Sequence, residues 1–364
     1  MSPTEPYQGW QLPPFYCPIE PAMHPEADLI EKRVTAWLDG SGLYASAVDR
    51  AWLLAINAAE LMARVFAGGM TERVALSAEW LLWGLGAVDD TQLESVAASL
   101  GTDGAVELLC RLLRFMETPG AAAGTRGNLR ALGQIMAALR GAATSVQVQR
   151  FIAAHRHWLL GTLWQMSNAA RGVVPDLDSY AIQRHATIGV QMFMTWSEIT
   201  AGEEIPGPEL YDPAMRAVIE SASLVNGWDN DILSYPKETI RDQDSTQNVV
   251  TVIARQYRCP TEQAITESVA MRNRVMGLFL RLAEMTRPGA SSAMRTYIDD
   301  LGRMLRGNLD WSSASPRYTS LTPRSELPTA GEPIAISFTG APPDCDTAPP
   351  AIPSIAWWWD QLSR

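Results

Sequence analysis

The segment VNGWDNDILSYPKE, residues 225–238, decides how this chain is read. Asn230, Ser234 and Glu238 stand at i, i+4 and i+8, so on a helix they stack along one face. They offer an amide oxygen, a hydroxyl and a carboxylate, the oxygen donors that a hard divalent cation takes. Asp231 and Lys237 flank them, and Lys237 is placed to meet a phosphate oxygen. Pro236 is discordant, because a proline inside a helix removes a hydrogen bond and can kink it. A solvated polar helix face would explain the pattern if it stood alone.

It does not stand alone. Upstream, LLWGLGAVDDTQLE (residues 81–94) places Asp89, Asp90 and Glu94 at the end of an apolar helical stretch, with Asp90 and Glu94 four apart on one face. Adjacent acids against a greasy helix repel and resist burial, and a divalent cation removes that cost. Between the two clusters, DLDSYAIQRHATIGVQM carries Arg184, 46 residues before Asn230. Beyond them, WSSASPRY closes on Arg317 and Tyr318. Arginine forks onto phosphate oxygens and a tyrosine hydroxyl adds another donor. Any one of these arginines alone reads as a surface ion pair; the argument rests on the set.

The rest of the chain supports a large all-α domain. It has 364 residues, 47% hydrophobic, enough for a sizeable core. Segments such as ADLIEKRVTAWL, AVDRAWLLAINAAELMARVF and TERVALSAEWLLWGLGAV carry apolar residues at helical spacing, and no alternating strand pattern appears. Breaks fall at Gly68-Gly69, Pro119-Gly120, Val174-Pro175 and Glu204–Gly207. Residues 1–25 read as an extended strap, 26–318 as one helical domain, and 319–364, with eight of the 24 prolines, as a disordered or loosely docked tail. The net charge of −11 disfavours nucleic acid and anionic membrane as partners. No apolar run is long enough to span a membrane, and no leader is evident, so a cytoplasmic location is expected. Cys17, Cys110, Cys259 and Cys345 form no pair spaced for zinc or a disulfide framework.

These residues carry a resemblance. Over roughly residues 10–320 the chain resembles bacterial class I terpene synthases. LPPFYCPIEPAMHP followed by a helix with Trp37 is similar to that family's entry segment. Asp89-Asp90-x-x-x-Glu94 resembles its aspartate-rich motif, and Asn230-Asp231-x-x-Ser234-x-x-x-Glu238 its second metal triad. Arg184 stands where the family has its diphosphate sensor. Arg317-Tyr318 matches a C-terminal pair, with Trp311 in the upstream aromatic place. The resemblance implies a single-domain helical bundle around a central apolar cavity. Three Mg²⁺ ions would be held by Asp89, Asp90, Glu94, Asn230, Ser234 and Glu238, and a prenyl diphosphate by Arg184, Lys237, Arg317 and Tyr318. It further implies cyclisation of the released carbocation, and a homodimer is possible.

Trp83, seven residues before Asp90, is expected in the cavity wall, with Met192, Phe193, Trp196, Trp228 and Trp311 as further aromatic or apolar candidates. For each of these, plain core packing is the competing reading. Gly86 and Ala87 stand where relatives carry bulky aromatics and are expected to enlarge the space under the metals. That favours geranylgeranyl over farnesyl diphosphate. Thr187 replaces an acid that many relatives carry three residues after the sensor, which leaves the effector near Thr187-Ile188-Gly189 open. Two alternatives remain: a prenyl-chain elongase, and a non-catalytic isoprenoid-binding protein. An elongase needs a second aspartate-rich motif, and Asp299-Asp300 lacks the acids that should follow it.

Overall fold

The computed structural model describes residues 12–86, 94–118, 127–241, 245–343 and 346–363, with the backbone alone for 94–102. In chain order the helices are α1 (Ala27–Ser41), α2 (Ala47–Ala55), α3 (Ala58–Val65), α4 (Thr71–Leu82), α5 (Glu94–Glu117), α6 (Gly127–Ala142), α7 (Ser145–Ala170) and α8 (Leu177–Thr187). They continue as α9 (Val190–Ala201), α10 (Gly207–Leu210), α11 (Pro213–Ile240), α12 (Val249–Tyr257), α13 (Thr261–Thr286), α14 (Ser292–Ala314), α15 (Pro316–Thr319) and α16 (Trp357–Asp360).

Local chemistry sets the boundaries of the helices that matter. Thr144 and Gln147 make a reciprocal cap at the start of α7. The Asp176 carboxylate accepts the Ser179 N–H to start α8. Asp212 caps α11, and Pro213 takes the first helical position, where its missing N–H costs nothing. Helix α11 then runs on past Pro236 to Ile240 and does not stop at it. Gly189 separates α8 from α9 with a φ of +74°, a left-handed conformation that favours glycine.

Helix α11 lies at the centre, packed against α13, α14, α8 and α12, while α7 packs on α5, α8 and α9. Its Leu224, Val225, Trp228, Ile232 and Leu233 are fully buried. Each such large apolar side chain contributes roughly 1.5–3 kcal/mol of burial free energy. On the back of α11, Arg272 of α13 donates to both oxygens of Asp229, at 2.6 and 3.0 Å, with both side chains wholly buried. The same guanidinium donates to the Tyr16 carbonyl, and Asn273 holds Pro14 and Tyr16. The strap is thereby fastened to the helix that carries Asn230.

The C-terminal segment is packed, unlike the loose tail its prolines suggest. β1 (Phe15–Tyr16) pairs in parallel with β2 (Phe338–Thr339), the two strands among the described residues. Trp52 of α2 donates to the Glu326 carbonyl, and the Arg324 guanidinium stacks on its ring. Ile352, Ile355 and Trp358 are buried, and the Trp358 indole donates to Glu220 of α11. Proline content lowers helix and sheet potential, but widely spaced aromatic and branched residues are enough to dock an extended segment.

Candidate active site

Five helices and one short turn converge on a cavity of about 520 Å³. The α7 wall is a helical stripe: His155, Trp158, Thr162, Gln165, Met166 and Ala169. From α4 and its extension come Trp80, Leu81, Trp83, Gly84 and Leu85. Residues 83–86 widen to π-helical geometry, a local rewinding that often marks functional sites. The break between α8 and α9 turns Arg184, Thr187, Ile188, Gly189, Met192 and Phe193 toward the space. Helix α11 and the α15 turn supply the polar rim, with Gln247 beside them: Asn230, Asp231, Ser234, Lys237, Glu238, Arg317 and Tyr318.

The rim is a connected network. Arg184 donates to Asn230 Oδ1 at 2.7 Å and pairs with Asp231 at 2.8 Å. Asn230 Nδ2 donates to the Tyr318 hydroxyl at 2.7 Å. Ser234 Oγ donates to Glu238 Oε1 at 2.5 Å, and Asn248 Nδ2 donates to the other carboxylate oxygen at 2.9 Å. Asp231 also accepts from the Tyr180 hydroxyl and from the Val249 N–H. Burial raises the Asp231 carboxyl to about 6 despite the adjacent Arg184. The guanidinium loses solvation by burial, but Asp231, Tyr180 and Glu238 more than offset this and hold it charged. Gly227 makes room for that side chain: a Cβ there would stand 3.0 Å from Arg184 Cγ.

The donor set fits a hard metal and a phosphate. Asn230, Ser234 and Glu238 each carry a side-chain oxygen that can ligate a metal, along one face of α11. Arg184 Nε and Thr187 Oγ1 are buried at the rim and make no hydrogen bond within the protein, as donors awaiting an anion would be. Asp89 and Asp90 lie outside the described residues, and of Glu94 only the backbone is described, as the first residue of α5.

Of the expected residues, Arg184, Asn230, Ser234, Lys237, Glu238, Arg317, Tyr318, Trp83, Met192 and Phe193 all line this one cavity. Trp196, Trp228 and Trp311 do not. Trp196 and Trp228 are fully buried in the core. Trp311 donates to the Ile56 carbonyl and meets the Tyr318 ring edge-on at 5.3 Å, so it braces a rim residue. Gly86 needs a second correction. A Cβ there would fall 2.1 Å from Leu53 Cδ2, so this glycine permits close packing of helix on helix. The open space belongs to Gly84, which lines the cavity and whose absent Cβ has no atom within 4 Å.

Sequence reasoning missed Asp231 as the partner of Arg184, together with Tyr180, Asn248 and the α7 wall. The 155–158–162–165–169 stripe was the available signal for that wall. A larger cleft of about 770 Å³ lies among α7, α8, α9, α11 and the C-terminal segment, but Asn230, Ser234 and Glu238 do not line it. Asp299 and Asp300 sit elsewhere on α14. Asp299 pairs with Arg287, and Asp300 accepts from Ser197 and Arg303.

Residues 80–277 match the family model described as terpene synthase family 2, C-terminal metal binding. Spiroviolene synthase of Streptomyces violens is 35% identical over 351 residues, covering 96% of both chains. (+)-(1(10)E,4E,6S,7R)-Germacradien-6-ol synthase of Streptomyces pratensis is 31% identical, covering 97% of both. The crystal structure of a protein from ancestral sequence reconstruction superposes with a TM-score of 0.83 at 33% identity, covering 96% of this chain and 99% of that one.

Proposed function

The chain belongs to the terpene synthase family and is a terpene cyclase acting on a prenyl diphosphate, and from that premise we propose how its own residues divide the work. The observation that carries the proposal is the meeting of Asn230, Ser234 and Glu238 with Arg184, Lys237, Arg317 and Tyr318 at the rim of a cavity whose deeper wall is largely aromatic and aliphatic.

In this reading the metal would be Mg²⁺, three ions, and Asn230, Ser234 and Glu238 together with Asp89, Asp90 and Glu94 would hold it. Bound Mg²⁺ supplies Lewis-acid stabilisation to the departing diphosphate. Arg184, Lys237, Arg317 and Tyr318 bind the same leaving group, and Asp231 and Tyr180 fix Arg184 in place. Below the rim, Trp80, Trp83, Trp158, Met192 and Phe193 exclude water and present ring faces or polarisable surface to the carbocation. A favourable cation–ring contact contributes about 0.5–2 kcal/mol. Geranylgeranyl diphosphate is the preferred substrate, with farnesyl diphosphate second, because Gly84 leaves the wall open. A homodimer and a cytoplasmic location belong to the same proposal; among the described residues no helix is long and apolar enough to cross a membrane.

The test is incubation with ten-, fifteen-, twenty- and twenty-five-carbon prenyl diphosphates plus Mg²⁺, with diphosphate release measured and extracts read by gas chromatography–mass spectrometry. Cyclic product from the twenty-carbon substrate is expected. Turnover only in the presence of isopentenyl diphosphate would support the elongase. Binding without diphosphate release would support the non-catalytic carrier.

A further inference from the structure

Among the described residues the floor of the cavity contains one nitrogen base, His155. We propose that Trp80 is a positioning residue that keeps His155 from deprotonating the carbocation, by occupying the imidazole lone pair that would otherwise open into the cavity. The inference rests on the carbocation reading above.

The tautomer follows from the partners. His155 Nδ1 lies 2.7 Å from the Phe151 carbonyl, which only accepts, so Nδ1 carries the proton. Nε2 therefore holds the lone pair, and the Trp80 indole N–H donates to it at 3.0 Å. Both side chains line the cavity. Two rings pack on the imidazole, Phe151 at 4.2 Å between centroids and Trp80 itself edge-on at 5.7 Å. The ring is 3% exposed, and burial pulls its pKa down to about 4. Low basicity alone gives no protection, because a C–H beside a carbocation centre is a far stronger acid than imidazolium. With the lone pair free, that C–H bond would break, its electrons would form a carbon–carbon double bond, and the proton would move to Nε2. The charge would pass from carbon to imidazolium, and the cascade would stop at an early olefin. With the lone pair engaged, His155 offers the cation only its ring.

The decisive variant replaces Trp80 with β-(3-benzothienyl)alanine, which keeps the ring shape and deletes the N–H. Trp80→Phe is its ordinary counterpart, and Trp80→Phe combined with His155→Phe removes the base as well. The readout is the fraction of acyclic and monocyclic olefin per diphosphate released, so a general loss of turnover does not count. That fraction should rise roughly fivefold in the benzothienyl and Trp80→Phe variants, the partition expected from losing one neutral hydrogen bond. It should return toward the unmodified value in the double variant. An unchanged distribution in the benzothienyl variant overturns the proposal, as does a shift that persists once His155 is gone. No diphosphate release from the unmodified chain would sink the cyclase reading and this inference with it.

Discussion

The two ends of the cavity use hydrogen bonds in opposite ways. At the rim, side chains from α8, α11 and α15 bond to one another yet keep donors and oxygen atoms facing the space: Arg184 to Asn230, Asn230 to Tyr318, Ser234 to Glu238. On the floor, the polar atoms of Trp80, His155 and Trp83 are turned on each other or on the backbone. The Trp80 indole serves His155, His155 serves Phe151, and the Trp83 indole donates to the Asn128 carbonyl at 3.2 Å. One end is built to hold charge and the other to be chemically silent. An unpaired buried polar atom costs about 1–3 kcal/mol wherever it sits, so silence on the floor requires partners as surely as binding at the rim does.

That contrast is broken most completely at the rim. Asn230→Ala removes an oxygen donor and releases both Arg184 and Tyr318. Steady-state diphosphate release should fall by about a thousandfold or more, a transition-state loss of ~4 kcal/mol, while helical circular dichroism stays unchanged. Asp89→Ala is expected to do the same. Full activity in either variant would remove the assignment of metal ligands. Next comes Asp231→Asn, which leaves the Arg184 guanidinium buried without its carboxylate; breaking such a pair costs about 3 kcal/mol, read as a lower denaturant midpoint.

The floor gives smaller effects. His155 is neutral in the folded chain with a pKa of about 4, against 6.5 when unfolded. The unfolded state therefore binds the extra proton between those values, and this residue costs the fold stability as pH falls through that window. Relative to the unmodified protein, His155→Phe should gain about 2 kcal/mol between pH 7 and pH 5, measured as the difference in unfolding free energy. An unchanged difference would mean that the imidazole is charged or exposed. The smallest expected effect is the sharpest for specificity. Gly84→Leu fills open space in the wall and should lower the preference for the twenty-carbon over the fifteen-carbon substrate about tenfold, ~1.4 kcal/mol, in competition assays.

The sequence made the rim legible because its chemistry has a fixed spacing. Asn230, Ser234 and Glu238 share a face on any helix, and the positions of Arg184 and Arg317-Tyr318 relative to them follow a family pattern. The all-α class was legible from periodicity. The floor was not, because the residues at 155, 158, 162 and 165 look like an ordinary buried stripe until the helices are packed. Gly84 and Gly86 show the same limit. They are two residues apart in one motif, yet one opens the cavity and the other seats a neighbouring helix. The partnership of Arg184 with Asp231 depended on how α8 crosses α11, which no local spacing encodes. The docking of the C-terminal segment was hard to read because its anchors, such as Trp358 and Ile352, are few and far apart.

The pairing of Phe15 with Phe338 sets an order of events for a chain made from its N-terminus onward. Residues 12–17 are synthesised well before Arg272, Asn273 and Phe338, which hold them. During translation this apolar stretch has no native seat, and closing so long a loop is entropically slow. The bundle can gather around α11 in the meantime, so a stretch made long before its partners must wait for them to take its place.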